Sequence, residues 1–231
     1  MAINLTEERA HSLPGRGLAI AGWVGFLLTG GIFMAVAWNV AFHRPIVVVD
    51  STIASWFHTH LSDFWTHVML VVSAANGIAA SALWSVLFAI FLIRIKEYYW
   101  LLTLALATIG GSILNVALKT AYARARPHFD DPIVTLGTYS FPSGHTAAAT
   151  IFYGFVAAFL VTRYRRHRTR TAILLAATGM VALVALSRMY LGAHYFSDVV
   201  AAAASSTAWL VLCLSGVHAF VRRKKLAKPA K

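Results

Sequence analysis

The feature that most constrains this 231-residue chain is a series of apolar blocks, each about twenty residues long and nearly free of charge. At 1.5 Å of rise per helical residue, such a block crosses the ~30 Å hydrocarbon core of a bilayer. The blocks predict an all-α integral membrane bundle of six transmembrane helices: Leu18 to Ala41, Ala75 to Ile93, Tyr99 to Leu118, Ser143 to Val161, Ala172 to Leu191 and Tyr195 to Val221. Composition agrees. Hydrophobic residues make up 59% and charged residues 12%, against about 45–50% and about 25% in soluble domains. The expected organisation is one membrane-embedded domain over 1–231, with a chemistry-bearing core at 119–198 and a basic tail at 222–231.

The net charge of +12 does not read as nucleic-acid binding, because the basic residues cluster just outside the apolar blocks. With the N-terminus placed in the cytoplasm, fifteen of the twenty Lys and Arg fall on the cytoplasmic side, including Arg163 to Arg170 and the tail. The positive-inside rule therefore puts both termini in the cytoplasm. Ala35-Val36-Ala37 resembles a signal cleavage site, but the first block exceeds the ~7–15 residues of a signal h-region and reads as a retained span.

Between the first two spans, Asp50 to Trp65 has the apolar spacing of one short interfacial helix, with Asp50 or Ser51 as its N-cap. Cys213, the single cysteine, reads as an apolar packing residue. Gly30-Gly31 and Gly110-Gly111 read as sites of close helix packing. The spans show no interior charges, breaks or inverted repeats of the kind a transporter uses.

Charge at the span ends is concentrated in three segments: Lys119-x6-Arg126-Pro127, Pro142-Ser143-Gly144-His145, and Ser187-Arg188-x5-His194-x3-Asp198. The topology places all three on the outer side, where the five remaining cations include Lys119, Arg124, Arg126 and Arg188. Phosphoryl transfer needs donors for the non-bridging oxygens, an in-line nucleophile and an acid for the leaving oxygen. The i, i+4 spacing of His194 and Asp198 lets a carboxylate fix one imidazole nitrogen and free the other as nucleophile. A helix opening at Ser143 and Gly144 offers free N–H groups and a dipole to an anion, with His145 placed as acid. Lys119, Arg126 and Arg188 supply positive charge. Each segment alone also has an ordinary reading: a structural His–Asp bond, a Ser helix cap, or snorkelling cations.

Taken together, these segments resemble the type 2 phosphatidic acid phosphatase superfamily, whose pattern K-x6-R-P, P-S-G-H and S-R-x5-H-x3-D is matched at every fixed position. The resemblance implies a phosphohistidine on His194, orientation by Asp198, proton donation by His145, and phosphate binding by Lys119, Arg126, Ser143, Gly144 and Arg188. It implies no metal or other cofactor. His58, His60 and His67 then read as interfacial polar residues and Asp130-Asp131 as a solvated turn. Arg124 and His128 flank the first motif as candidates for contact with the lipid head group. The implied partner is a phosphorylated lipid in the membrane, with no obligate protein partner. Candidate lipids are phosphatidic acid, phosphatidylglycerophosphate, undecaprenyl diphosphate and lipid A. The expected place is a bacterial inner membrane, with the site on the periplasmic face. A lipid phosphotransferase would share the first half-reaction, and an anion or lipid transporter is the reading from a different class.

Overall fold

The computed structural model describes residues 16–226. All regular structure within them is helical: α1 (Arg16–Ala41), α2 (Ile46–Thr59), α3 (Asp63–Ala75), α4 (Ile78–Arg94), α5 (Tyr98–Tyr122), α6 (Gly144–Arg163), α7 (His167–Tyr190) and α8 (Phe196–Leu226). Five helices are long and apolar enough to cross a membrane alone: α1 from Gly22, α5, α6, α7 and α8 to Val221. The pair α3 and α4, bent by 48°, is long and apolar enough only when taken together, as the candidate for the sixth.

Helix α8 is central, with α1, α5 and α6 packed along it. Its Ala201, Ala202, Ala204, Ser205 and Ser206 are buried. Small side chains let helix backbones approach closely where lipid offers no hydrophobic drive for association. A cluster of Leu92, Trp100, Phe155, Phe159 and Leu210 closes the far half of the bundle around Cys213, as its apolar setting predicts. Leu27, Val86, Ile113 and Leu175 point outward, as residues facing lipid can.

Gly110 and Gly111 bear out their packing role, since an added Cβ would strike Trp209 and Ile151. Gly30 and Gly31 do not: nothing lies within 4 Å of a Cβ at either, because this part of α1 turns them away from its neighbours.

Two further expectations are corrected. The single interfacial helix over Asp50 to Trp65 is two helices. Pro45 lacks an N–H that a helix start leaves unpaired anyway, so α2 begins at Ile46. Asp50 is therefore not a cap but a fully buried residue in the second turn. Ser62, whose hydroxyl accepts from Trp65 N at 3.4 Å, caps a new helix with Asp63 favourably placed in its first turn. The second span, expected unbroken over Ala75 to Ile93, is broken at Asn76-Gly77. The Asn76 amide bonds back to Val72 O at 2.9 Å, and the extended Gly77 restarts the chain as α4. Helix α8 extends to Leu226, into the basic segment expected at 222–231, of which 227–231 lie outside the described residues.

Candidate active site

The site is assembled where α5 and α7 end and α6 and α8 begin. The turn from α7 into α8 sets its geometry. Gly192 takes the left-handed conformation, φ +65°, and its N–H donates to Met189 O at 3.0 Å. The N–H groups of Ala193 and His194 then both donate to Arg188 O, at 3.0 and 3.2 Å. This terminates α7 in the manner of a glycine C-cap and folds His194 back over the bundle end. A Cβ on Gly192 would lie 3.2 Å from the Phe129 ring. Gly192→Ala is thus expected to cost about 1–2 kcal/mol for the backbone alone. A lowered unfolding midpoint in detergent, with a larger loss of turnover, is the measurement that checks it.

His194 is buried, with Nδ1 3.4 Å from Asp198 Oδ2 and Nε2 3.2 Å from Arg126 Nη1. A guanidinium can only donate. Nε2 is therefore the acceptor, and the imidazole proton sits on Nδ1, facing the carboxylate. Burial, with smaller contributions from Arg126 and Lys119, pushes the His194 pKa down to about 4 against the pull of Asp198. At neutral pH the ring is uncharged, and its Nε2 lone pair is unprotonated and faces Arg126.

Asp198, in the first turn of α8, is fully buried. Its Oδ2 accepts from Tyr195 N at 2.9 Å and from the Ser140 hydroxyl, and its Oδ1 accepts from Arg124 Nη1 at 2.7 Å. His194 precedes α8 rather than sharing it, so the i, i+4 pairing spans the helix entrance. Ser143 N donates to Asp198 O at 3.1 Å, which ties the start of α6 to the start of α8.

The loop 123–143 supplies the rest. Arg126 donates from Nε to Thr138 O (2.7 Å), from Nη1 to Ala193 O (2.6 Å), and from Nη2 to Thr138 Oγ1 (2.9 Å) and Tyr139 O (3.1 Å). Lys119, in the last turn of α5, donates to Tyr139 O at 2.7 Å. Ser143 caps α6, its hydroxyl accepting from Thr146 N at 3.4 Å and Thr146 Oγ1 at 3.1 Å. Its own O–H is left to donate. The N–H groups of Gly144 and His145 open the helix, where no intrahelical partner exists. Burial holds the Arg126 guanidinium below its usual range, against the opposing charge of Asp198.

Arg188 is buried, donates from Nη1 to the Ser73 hydroxyl, and keeps an unpaired buried Nε–H. His145 is half-buried, with its Nε2 3.5 Å from the position of a Cβ on Gly77. His145 and His194 share no hydrogen bond, but both lie within electrostatic reach of Arg126 and Lys119. All eight residues singled out by the motifs thus gather at one end of the bundle.

The two flanking candidates part company. Arg124 does not reach outward: Nη1 binds Asp198 Oδ1 and Ser197 Oγ, Nη2 binds Asp50 Oδ2, all at 2.7 Å, and its guanidinium lies 4.3 Å from the Tyr195 ring centre. The Asp198 and Asp50 carboxylates raise its pKa despite burial. Two buried carboxylates behind it outcompete solvent, which corrects its reading as a head-group contact. His128 is exposed. His58 pairs with Asp131 at 3.1 Å, while His60 and His67 bond to the carbonyls of Trp56 and Asp63 at 2.8 Å. The three imidazoles thus have separate partners.

Motif reading missed Asp50, Ser73, Ser140 and Gly192. An acid ending the run Ile46-Val47-Val48-Val49 was a usable signal, and so was a hydroxyl two residues before Pro142. Ser73 carried none, because its place depends on the break that follows it.

The model of the PAP2 superfamily matches residues 99–222, which hold every motif residue. The chain belongs to the PAP2 superfamily. This PAP2 chain is 40% identical over 91 residues to phosphatidylglycerophosphatase B of Bacillus subtilis, an alignment spanning 38% of this chain and 43% of that relative. It is 30% identical over 173 residues to lipid A 4'-phosphatase of Bacteroides thetaiotaomicron, covering 67% and 71% of the two chains. The fold is similar to the crystal structure of a transmembrane PAP2-type phosphatidylglycerolphosphate phosphatase from Bacillus subtilis, with TM-score 0.74, 22% identity, and 89% and 98% of the chains covered. It is also similar to Aquifex aeolicus LpxE, with TM-score 0.55, 20% identity, and 72% and 94% covered. This member is an integral membrane protein of a phosphatase family.

Proposed function

We propose that this PAP2 protein hydrolyses the phosphate or diphosphate ester of a lipid at the outer membrane–water interface, through a phosphohistidine on His194. The observation that carries the reading is the Nε2 lone pair of His194. It is unprotonated, faces the anion-binding Arg126, and is backed at Nδ1 by Asp198. An incoming phosphate exchanges carbonyl partners of Arg126 and Lys119 for its own oxygens. It meets the start of α6, the Ser143 hydroxyl and the unpaired Nε–H of Arg188.

Nε2 attacks phosphorus and the P–O bond to the lipid breaks. His145 delivers a proton to the departing oxygen, while the phosphate's negative charge offsets the cations around that imidazole. Asp198 stabilises the positive charge that develops on the His194 ring. Water then attacks phosphorus, its proton passes to His145, the P–N bond breaks, and inorganic phosphate leaves with the imidazole restored.

The lipid class is supported by the activities for which the two relatives are named, so phosphatidylglycerophosphate and lipid A head the candidates, followed by phosphatidic acid and undecaprenyl diphosphate. The distribution of Lys and Arg supports cytoplasmic termini, and the bacterial relatives support the inner membrane of a bacterium. The chain acts as a single domain, with its whole site drawn from one polypeptide. Purified protein in detergent is expected to release phosphate from at least one of these lipids with chelator present. An absolute requirement for an added divalent metal, or no release from any of the four, overturns the reading.

A further inference from the structure

We propose that Asp50 is a positioning residue for the nucleophile: it divides the charge of Arg124 with Asp198, leaving net negative charge behind the His194 ring. The inference deepens the phosphohistidine reading and rests on it. Asp50 belongs to α2, well before the matched residues 99–222, and none of the three motifs includes it. Yet it is fully buried at the site. Its Oδ1 accepts from Ser197 N at 2.8 Å, and its Oδ2 accepts from Ser197 Oγ and, at 2.7 Å, from Arg124 Nη2. Arg124 reaches across with Nη1 to Asp198 Oδ1, 2.7 Å away, and Asp198 Oδ2 faces His194 Nδ1.

A carboxylate bonded to a single guanidinium is largely neutralised and has little field left for a neighbouring imidazolium. A second carboxylate on the same guanidinium alters the sum. Asp50, Arg124 and Asp198 together carry one net negative charge, set directly behind the ring that must become positive during attack. The same geometry aims Asp198: with Oδ1 tied to Arg124 and Oδ2 held by Tyr195 N and Ser140, the carboxylate cannot rotate away from Nδ1. The other charged or titratable groups around His194 are Arg126 from the loop, Lys119 from α5, His145 from α6, Arg188 from α7 and Tyr195 beside it. The cations among them all oppose its protonation, so the buried acids alone favour the imidazolium.

The signs follow. Removing the negative charge with Asp50→Asn disfavours the imidazolium, so His194 titrates lower. Removing the positive charge with Arg124→Gln favours it, so His194 titrates higher. At separations of about 7–10 Å and an effective dielectric of about 20, each shift is about one to two pH units, the larger for the nearer Arg124. In the double variant the two charges removed cancel, and the titration returns towards that of the wild type.

The test uses the intact protein in detergent with 13C-labelled histidine, following the His194 ring signal, assigned by its loss in His194→Asn, between pH 2 and 8. Steady-state phosphate release is measured in parallel. Expected are opposite shifts in the two single variants, cancellation in the double variant, and in Asp50→Asn a kcat lower by about 10- to 100-fold with KM within about twofold, because Asp50 does not reach the phosphate cradle. A wild-type titration in Asp50→Asn overturns the proposal. So does additive damage in the double variant with the titration unmoved, the signature of a purely structural bond. If the wild type releases no phosphate from any lipid, the reading of function fails separately, and the ring titrations still decide whether Asp50 sets the charge at His194.

Discussion

Replacing His194 with alanine is expected to abolish phosphate release, lowering kcat by about 10⁴-fold or more, while the fold survives. The imidazole is buried but small, and its nearest polar neighbours keep other partners. Arg126 retains Ala193 O, Thr138 and Tyr139 O. Asp198 retains Arg124, Ser140 and Tyr195 N. Helical content and thermal unfolding should stay close to wild type in the same preparation. Rapid-quench experiments on wild type with radiolabelled lipid phosphate should trap an acid-labile phosphoprotein, absent from the variant. Turnover within tenfold of wild type would remove His194 as the nucleophile.

The second large effect is expected from Asp198→Asn, which differs from the His194 variant in damaging both catalysis and stability. The amide must present its NH2 either to Arg124 or to the side shared by Tyr195 N–H and His194 Nδ1–H. Either choice sets donor against donor. Turned towards His194, the NH2 drives the ring proton from Nδ1 to Nε2 and blocks the lone pair that attacks phosphorus. The expected loss in kcat is about 10³–10⁴-fold, the scale on which a wrong tautomer acts in triad enzymes. Arg124, whose side chain is only 12% exposed, loses one of its two carboxylates. Breaking one arm of a buried ion pair costs about 3 kcal/mol. The unfolding midpoint in detergent should therefore fall clearly, in contrast to His194→Ala. A variant with normal stability and near-normal kcat would show that Asp198 neither orients the ring nor anchors Arg124.

Much of the architecture was legible because membrane spans are read by length and composition alone. Five spans are single helices starting and ending within a few residues of the expected positions. The break in the other could not be read that way, since Asn76-Gly77 lies in a segment whose average hydropathy still passes. The interfacial helix failed for a local reason. The apolar spacing continues through Leu61 and Phe64, but Ser62 competes for the backbone and starts a new helix. That second helix carries Ser73 to Arg188 and leads to Gly77 beside His145.

That the eight motif residues gather at one end of the bundle was expected from the sequence, because their segments all lie at the ends of helices that alternate in direction. Arg124 and Asp50 show where such reading ends. Both are charged residues near the outer boundary, and by composition both belong to solvent or lipid head groups. Only packing shows that they lie buried against each other and Asp198, 74 residues apart in each pair.

Readable from the sequence were the helices long and apolar enough to cross a bilayer, and the cations, histidines and carboxylate of phosphate-handling type at their ends. These depend on hydrophobic length, charge bias and chemical type, all properties of short segments. Packing was needed to show which nitrogen of His194 carries the proton, where the chain breaks between α3 and α4, and which carboxylates share Arg124. Those outcomes depend on contacts between residues far apart in the chain, whose energies exist only once the helices have packed.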